Sequence, residues 1–151
     1  LATIRRIEEN REAFRELLLL ADPEWAVVEK YLHQGEMYAL FEGETAVAEA
    51  LVTYRPDGAC ELKNLATAPA FQRKGYARML VEHVAREMSG RYDRMYVGTS
   101  GPKLYERMGF VRAYTVENFF VDNYSEPVWD EGELLKDMYY LVRPLREGVD
   151  V

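Results

Sequence analysis

"FQRKGYARML", Phe71 to Leu80, sets two cations and a glycine immediately ahead of a run with helical spacing. A helix N-terminus leaves backbone N–H groups unpaired and carries roughly half a positive charge, so it can hold a phosphate without a dedicated side chain. Gly75 and the small Ala77 stand where a pyrophosphate would touch the backbone, and Arg73 and Lys74 add mobile cations for further phosphates. Local physics gives equal weight to an ordinary helix start flanked by surface charges, because the stretch is neither a GxGxxG nor a GxxxxGK[ST] loop.

Working outward, "KGYARMLVEHVAREM" places Ala77, Leu80, Val81, Val84, Ala85 and Met88 on one stripe, with Arg78, Glu82 and Arg86 as i,i+4 ion pairs outside. Before it, "EMYALFE", "TAVAEALVTYR" and "ACELKNLAT" are separated by turns at "EGE" and "PDG" and predict a three-stranded antiparallel meander. Nearer the N-terminus, "ATIRRI" predicts a strand. "NREAFRELLLLA" predicts a helix capped by Asn10, with Ala13, Phe14, Leu17 and Leu18 on its inner face. "DPEWAVVEKYLHQG" predicts a second helix, with Asp22 as cap, Pro23 at its first position and Gly35 as its stop. Beyond the long helix, "RMYVG" predicts a short buried strand, "GPKLYERMG" a short helix closed by Gly109, "FVRAYTVENFFV" a strand and "DMYYLVRPL" the last strand. "DNYSEPVWDEGE" is expected to be a loop. This order implies an α+β fold, a mixed but mostly antiparallel sheet flanked by helices, in one domain over residues 1–151.

With 48% hydrophobic and 30% charged residues, and no apolar run near the ~20 residues of a membrane span, a soluble globular protein is expected, not a membrane protein. The single cysteine, Cys60, excludes an internal disulfide, and no signal peptide is visible, so a cytoplasmic setting is expected. A net charge of −7 argues against a nucleic-acid partner, which needs a basic face. An acidic surface suits a cationic partner and equally serves solubility. His33 and His83 lack Cys or carboxylate neighbours at ligand spacing, so no metal is expected. Cys60 is expected to be a buried small residue, and "GTSG" is not a GxSxG elbow.

"LATAPAFQRKGYARMLVEHV" resembles the acetyl-CoA-binding motif of the GNAT acetyltransferases, Q/R-x-x-G-x-G/A, with Gln72, Gly75 and Ala77 in its three fixed places. "LYERMGF" resembles that family's second cofactor motif, and the order of elements is similar to a GNAT domain across essentially the whole chain. The connection after Val97 is shorter than is usual in the family, where it commonly contributes a cofactor contact. The resemblance implies the acyl-CoA N-acyltransferase fold, acetyl-CoA as cosubstrate, and transfer of an acetyl group to a primary amine of a small molecule or peptide. It implies that backbone groups of Leu65, Ala66 and Thr67 align the pantetheine arm while Gln72, Arg73, Lys74, Gly75, Tyr76, Ala77 and Arg78 hold the pyrophosphate.

Acetyl transfer from a thioester needs a neutral amine, a stabilised oxyanion and a protonated thiolate. By the same resemblance Tyr105 matches the tyrosine near the CoA sulfur, whose phenol can protonate the leaving group; a ring packed against the sheet is a compatible reading. Glu61 stands at the place of the catalytic glutamate of the histone-type branch, with Glu49 as fallback base and a surface pairing to Lys63 as the plain alternative. Strict alternation along "CELKNLAT" puts Glu61, Lys63, Leu65 and Thr67 on one face. "NFFVDNYSEPVWDEGELLKDMYY" combines Phe119, Phe120, Tyr124 and Trp129 with Asp122, Glu126, Asp130, Glu131 and Glu133. It suits either an aromatic and acidic pocket for a cationic amine or a solvated loop with an aromatic homodimer contact. The alternative function is a non-catalytic acyl-CoA-binding module that keeps the cradle without the chemistry.

Overall fold

A computed structural model describes residues 1–151. Alternating apolar residues build β1 (Ala2–Ile7), β2 (Glu36–Glu42), β3 (Thr45–Tyr54) and β4 (Cys60–Thr67), joined by tight turns after β2 and β3. β5 (Arg94–Thr99), β6 (Val111–Val116) and β9 (Met138–Pro144) complete a seven-stranded sheet of order β1-β2-β3-β4-β5-β9-β6. Every neighbouring pair is antiparallel except β4 with β5. That single parallel pair is joined by α3 (Tyr76–Met88), as a parallel crossover requires.

The helices cover both faces. The predicted stripe of α3 sinks Leu80, Val81, Val84, Ala85 and Met88 against Leu40, Ala50, Val52, Leu62 and Val97. Across the sheet, α1 (Arg15–Ala21) and α2 (Trp25–Val28) bring Leu18 and Val28 onto Met37 and Leu51. Each of the buried Leu, Val and Met side chains contributes about 1.5–3 kcal/mol. No helix is long and apolar enough to cross a membrane.

Several local expectations are corrected. Residues Arg11–Phe14 form a 3-10 turn before α1, Ala13 is exposed, and Asn10 caps nothing with its side chain: it is left-handed (φ 59°) and only its carbonyl accepts a bond, from Ala13 N–H at 3.0 Å. The second helix shortens to one turn of α2 because Asp22 turns inward to accept hydrogen bonds from Tyr31 Oη (2.8 Å) and Tyr124 Oη (2.7 Å), leaving Glu24 at the cap position. The buried Arg11 guanidinium donates to the Leu32 and Gly35 carbonyls and so satisfies the turns that replace the rest of that helix. Glu82 pairs with Arg143 (2.7 Å) and not with Arg78 or Arg86 on its own helix.

After α4 (Lys103–Glu106), β6 stops at Val116 because Asn118 is left-handed (φ 58°), and "NFFV" becomes part of α5 (Phe119–Asn123). The expected loop contains a hairpin, β7 (Trp129–Asp130) and β8 (Glu133–Leu134). Its two central residues, Glu131 and Gly132, both have positive φ, the signature of a type I′ turn. The connection from β5 to α4 is only Ser100–Pro102, tightened by a Gly101 N–H bond to Thr99 Oγ1 at 3.0 Å.

Candidate active site

The site begins where one pair of strands parts. β4 and β5 are hydrogen-bonded in register only from Cys60 to Leu62 and from Met95 to Val97. At the next residue β4 bulges: its pairing with β3 jumps from Val52↔Leu62 to Leu51↔Asn64, leaving Lys63 extra. The extra residue reverses the facing of everything after it. Glu61, opposite Thr53, lies on the α1–α2 side, whereas Leu65 and Thr67, opposite Ala50 and Ala48, lie on the α3 side. The expectation that Glu61 shares a face with Thr67 is therefore wrong.

On the α3 side, a cavity of 590 Å³ is lined by Leu65, Ala66, Thr67, Gln72, Arg73, Gly75, Tyr76, Ala77, Arg78 and Tyr105. Gly75 is left-handed (φ 82°), and so is Arg73 (φ 65°). A Cβ built on Gly75 would meet nothing within 4 Å, so the backbone angle, not crowding, calls for glycine there. The first helical bond runs from Met79 N–H to the Gly75 carbonyl, and the N–H groups of Arg73 to Arg78 have no acceptor within the protein. Six consecutive donors at the positive end of a 13-residue helix make an anion cradle. Gln72 Nε2 ties the loop to the Thr67 carbonyl at 3.2 Å. Lys74 does not line this cavity: its ammonium pairs with Glu42 at 3.4 Å, and the Tyr76 hydroxyl donates to the same carboxylate. Glu42 thus anchors the cradle from the end of β2.

On the other side of the splayed strands lies a cavity of 690 Å³, bounded by β4, β5, the α1–α2 corner and residues 119–140. Leu65, Leu104, Tyr105 and Leu20 line both cavities, so the two meet there. The Tyr105 ring packs edge to face on Phe110 at 5.7 Å, and burial, reinforced by Glu49, pushes its phenol up to about 12. Glu61 is buried and lines the larger cavity, its carboxylate held by Arg55 (3.3 Å) and Lys63 (3.5 Å). Arg55 in turn lies 3.9 Å above the Tyr96 ring and donates to Tyr114 Oη. Glu49 lines neither cavity. It is fully buried with no hydrogen-bond partner for either oxygen, and burial pushes its carboxyl far above the carboxylate range.

Of the expected acceptor region, Phe119, Phe120, Tyr124, Trp129 and Asp130 line the larger cavity, while Asp122, Glu126, Glu131 and Glu133 do not. Cys60 is buried and its thiol is pushed up to about 12 by burial, which removes it as a nucleophile. Residues the sequence did not single out also gather here: Asn64, Tyr31, Leu20 and Tyr140. Asn64 Nδ2 donates to Tyr31 Oη and to the Leu18 carbonyl, while its Oδ1 is buried without a partner.

Residues 33–112 match the family model for the acetyltransferase (GNAT) domain. The N-acetyltransferase YvbK of Bacillus subtilis, itself uncharacterized, is 31% identical over 141 residues, covering 89% of this chain and 90% of its own. Among solved structures, a GNAT family acetyltransferase from Elizabethkingia anophelis with acetyl-CoA bound matches with a TM-score of 0.88 at 30% identity, over 95% of this chain and 97% of that one. A Bacillus subtilis acetyltransferase in complex with CoA matches with a TM-score of 0.84 at 27% identity, over 95% and 99%.

Proposed function

The chain belongs to the GNAT family of N-acetyltransferases, and from that premise we propose that it moves the acetyl group of acetyl-CoA to a primary amine by direct attack of the nitrogen on the thioester. The observation that carries this reading is the junction: an anion cradle and an aromatic cavity meet at Leu65 and Tyr105, between strands that have parted. The six free N–H groups of Arg73 to Arg78 hold the pyrophosphate, assisted by the Arg73 and Arg78 side chains. The free edge of β4 beyond Leu62 aligns the pantetheine amides, and a β4 N–H near Leu65 polarises the carbonyl as it becomes an oxyanion.

Tyr105 faces the sulfur from the junction. Its phenol stays protonated throughout the physiological range, since its pKa is about 12. Complete transfer to a solvated thiolate of pKa about 8.5 would be uphill by about 5 kcal/mol. Desolvation in the same cavity raises the thiolate's own basicity, so Tyr105 acts as a hydrogen-bond donor to the departing sulfur. Glu61, its carboxylate held in place by Arg55 and Lys63, takes the amine's proton through water. Glu49 has no such role, because a carboxyl that keeps its proton cannot accept one.

Calorimetric titration with acetyl-CoA, CoA and ATP, followed by a thiol-release screen over amines, tests the reading. Micromolar binding of acetyl-CoA with release stimulated by an amine supports it, and failure to bind would refute the cradle. A non-catalytic acyl-CoA module would bind without stimulated release by any amine.

A further inference from the structure

The larger cavity carries information about the acceptor, and resting on the transferase reading above, we propose that this acceptor is a small primary amine on a compact aromatic or branched apolar body, with no second cationic group. Three observations converge on that class.

Charge is the first. The lining carboxylates are already engaged: Asp22 accepts the hydroxyls of Tyr31 and Tyr124, and Glu61 holds Arg55 and Lys63. Asp130 alone among them has no partner, and Lys30 and Lys63 line the same space. A second ammonium would meet these two lysines and a single exposed carboxylate, so a polyamine gains little here.

Apolar surface is the second. Trp129 is 63% exposed and Leu20 52% exposed, although both are large apolar side chains lining the cavity. With Phe119, Phe120, Leu135 and Met138 they form a wall that an apolar ligand body would cover. Gly98 fixes how deep that body reaches. A Cβ there would stand 2.9 Å from the Tyr140 ring, so glycine is what lets this ring lie back against β5 and leave the space open.

Enclosure is the third. The segment carrying α5 and the β7–β8 hairpin is tied across to the α1–α2 corner by Tyr124 on Asp22 and by Ser125 Oγ on Glu24 (2.7 Å). This tie closes the cavity where the 119–135 segment meets the α1–α2 corner and so limits the length of chain it can hold. A volume of 690 Å³ is that of a drug-sized ligand site.

The test measures thiol release at saturating acetyl-CoA with 2-phenylethylamine, tryptamine, spermidine and a lysine-containing tetrapeptide. The aryl amines are expected to exceed the other two in kcat/KM by about ten-fold or more. Trp129→Ala, at an exposed position that folding does not require, should raise the KM for 2-phenylethylamine about five-fold while leaving acetyl-CoA affinity unchanged. Phe119→Ala should act in the same direction. Spermidine or the peptide matching the aryl amines would overturn the assigned class and leave the transferase reading intact. An aryl-amine KM unmoved by both variants would overturn the assigned wall. No release with any amine, from protein that binds acetyl-CoA, would overturn the inference and the transferase reading together.

Discussion

Glu49 offers the most direct quantitative test of how the sheet is built beneath the site. Its carboxyl is fully buried on β3, and neither oxygen has a partner. Glu49 pairs with Ala66 and Leu51 with Asn64, so Glu49 and Asn64 are diagonal neighbours on one face. Asn64 Oδ1 is the other buried oxygen without a partner. A protonated Glu49 would carry a donor on the face where Asn64 Oδ1 lacks one. Because burial raises the folded-state pKa, Glu49 favours the native state fully only below its unfolded value near 4.5, and stability falls as pH rises above that value. At pH 7 an unfolded chain has released this proton, so retaining it in the native state costs about 1.4 kcal/mol for each pH unit above 4.5, or about 3 kcal/mol. Glu49→Gln keeps the shape and a donor but titrates nothing. After about 1 kcal/mol for the second amide hydrogen left unpaired, it should be about 2 kcal/mol more stable than the parent at pH 7. Near pH 5 the gain should vanish, and below that the variant should be the less stable of the two, by up to about 1 kcal/mol. Urea denaturation at several pH values reads this directly, and the free-energy difference should widen with pH. A difference that stayed flat with pH would mean that Glu49 is ionised in the fold and would refute the reasoning, as would a large loss of turnover in Glu49→Gln, which would make it the base.

Substitutions at three further positions probe the junction itself. Tyr105→Phe should lower kcat about a hundred-fold with acetyl-CoA affinity unchanged by titration; equal losses in both would reduce Tyr105 to a packing residue. Gly75→Ala should cost about 1–2 kcal/mol in thermal or urea unfolding from its left-handed φ alone, since its Cβ clashes with nothing in the free protein. Gly75→Glu should in addition abolish measurable acetyl-CoA binding, and unchanged affinity would count against the cradle. Gly98→Ala should push the Tyr140 ring into the acceptor cavity, raising acceptor KM far more than it weakens acetyl-CoA binding and destabilising by about 1–3 kcal/mol of overpacking.

Much of the frame was legible because it rests on local periodicity. β1 was predicted at Ala2–Ile7 and observed there, and the α3 stripe was predicted from a 3.6 period at every position but Ala77, which lines the cradle cavity instead of the core. The glycine that opens α3 was legible in the sequence, and the structure gives it a left-handed angle; the pyrophosphate role of Gln72 to Arg78 belongs to the proposed function. The misplaced elements share a different cause. Asp22 has every local mark of a helix cap, yet two tyrosine hydroxyls, one of them 102 residues away, draw it inward. Lys74 stands among the cradle residues in sequence, but Glu42, 32 residues earlier, captures its ammonium. Local pattern carries no record of partners at such separations. The lining of the larger cavity was half legible for the same reason: the aromatic residues of the 119–129 segment are conspicuous, whereas which carboxylates join them depends on local turns such as the type I′ turn that leaves Asp130 on the lining and Glu131 and Glu133 off it.

The most consequential misreading, at Lys63, falls where β4 passes from one cavity to the other. A period of two is legible only while every residue is paired, and one unpaired residue inverts all that follows. Here the inversion falls one residue after β4 and β5 stop pairing. Before the bulge, β4 sends Glu61 toward the α1–α2 side and the larger cavity; after it, β4 sends Leu65 and Thr67 toward α3 and the cradle. Under the proposed function one strand then serves both substrates from opposite faces, and Leu65 is the one residue of the sheet that lines both cavities. Had the alternation continued without the bulge, Glu61 and Thr67 would have shared a face. The group assigned to the amine and the residues assigned to the thioester would then have lain on one side of a closed sheet, with no passage at Leu65 for the two substrates to meet. Deleting Lys63 should accordingly abolish turnover more completely than Lys63→Ala, which removes a cation but keeps the extra residue. Retained activity in the deletion variant, in protein that still unfolds cooperatively, would show that the bulge is dispensable.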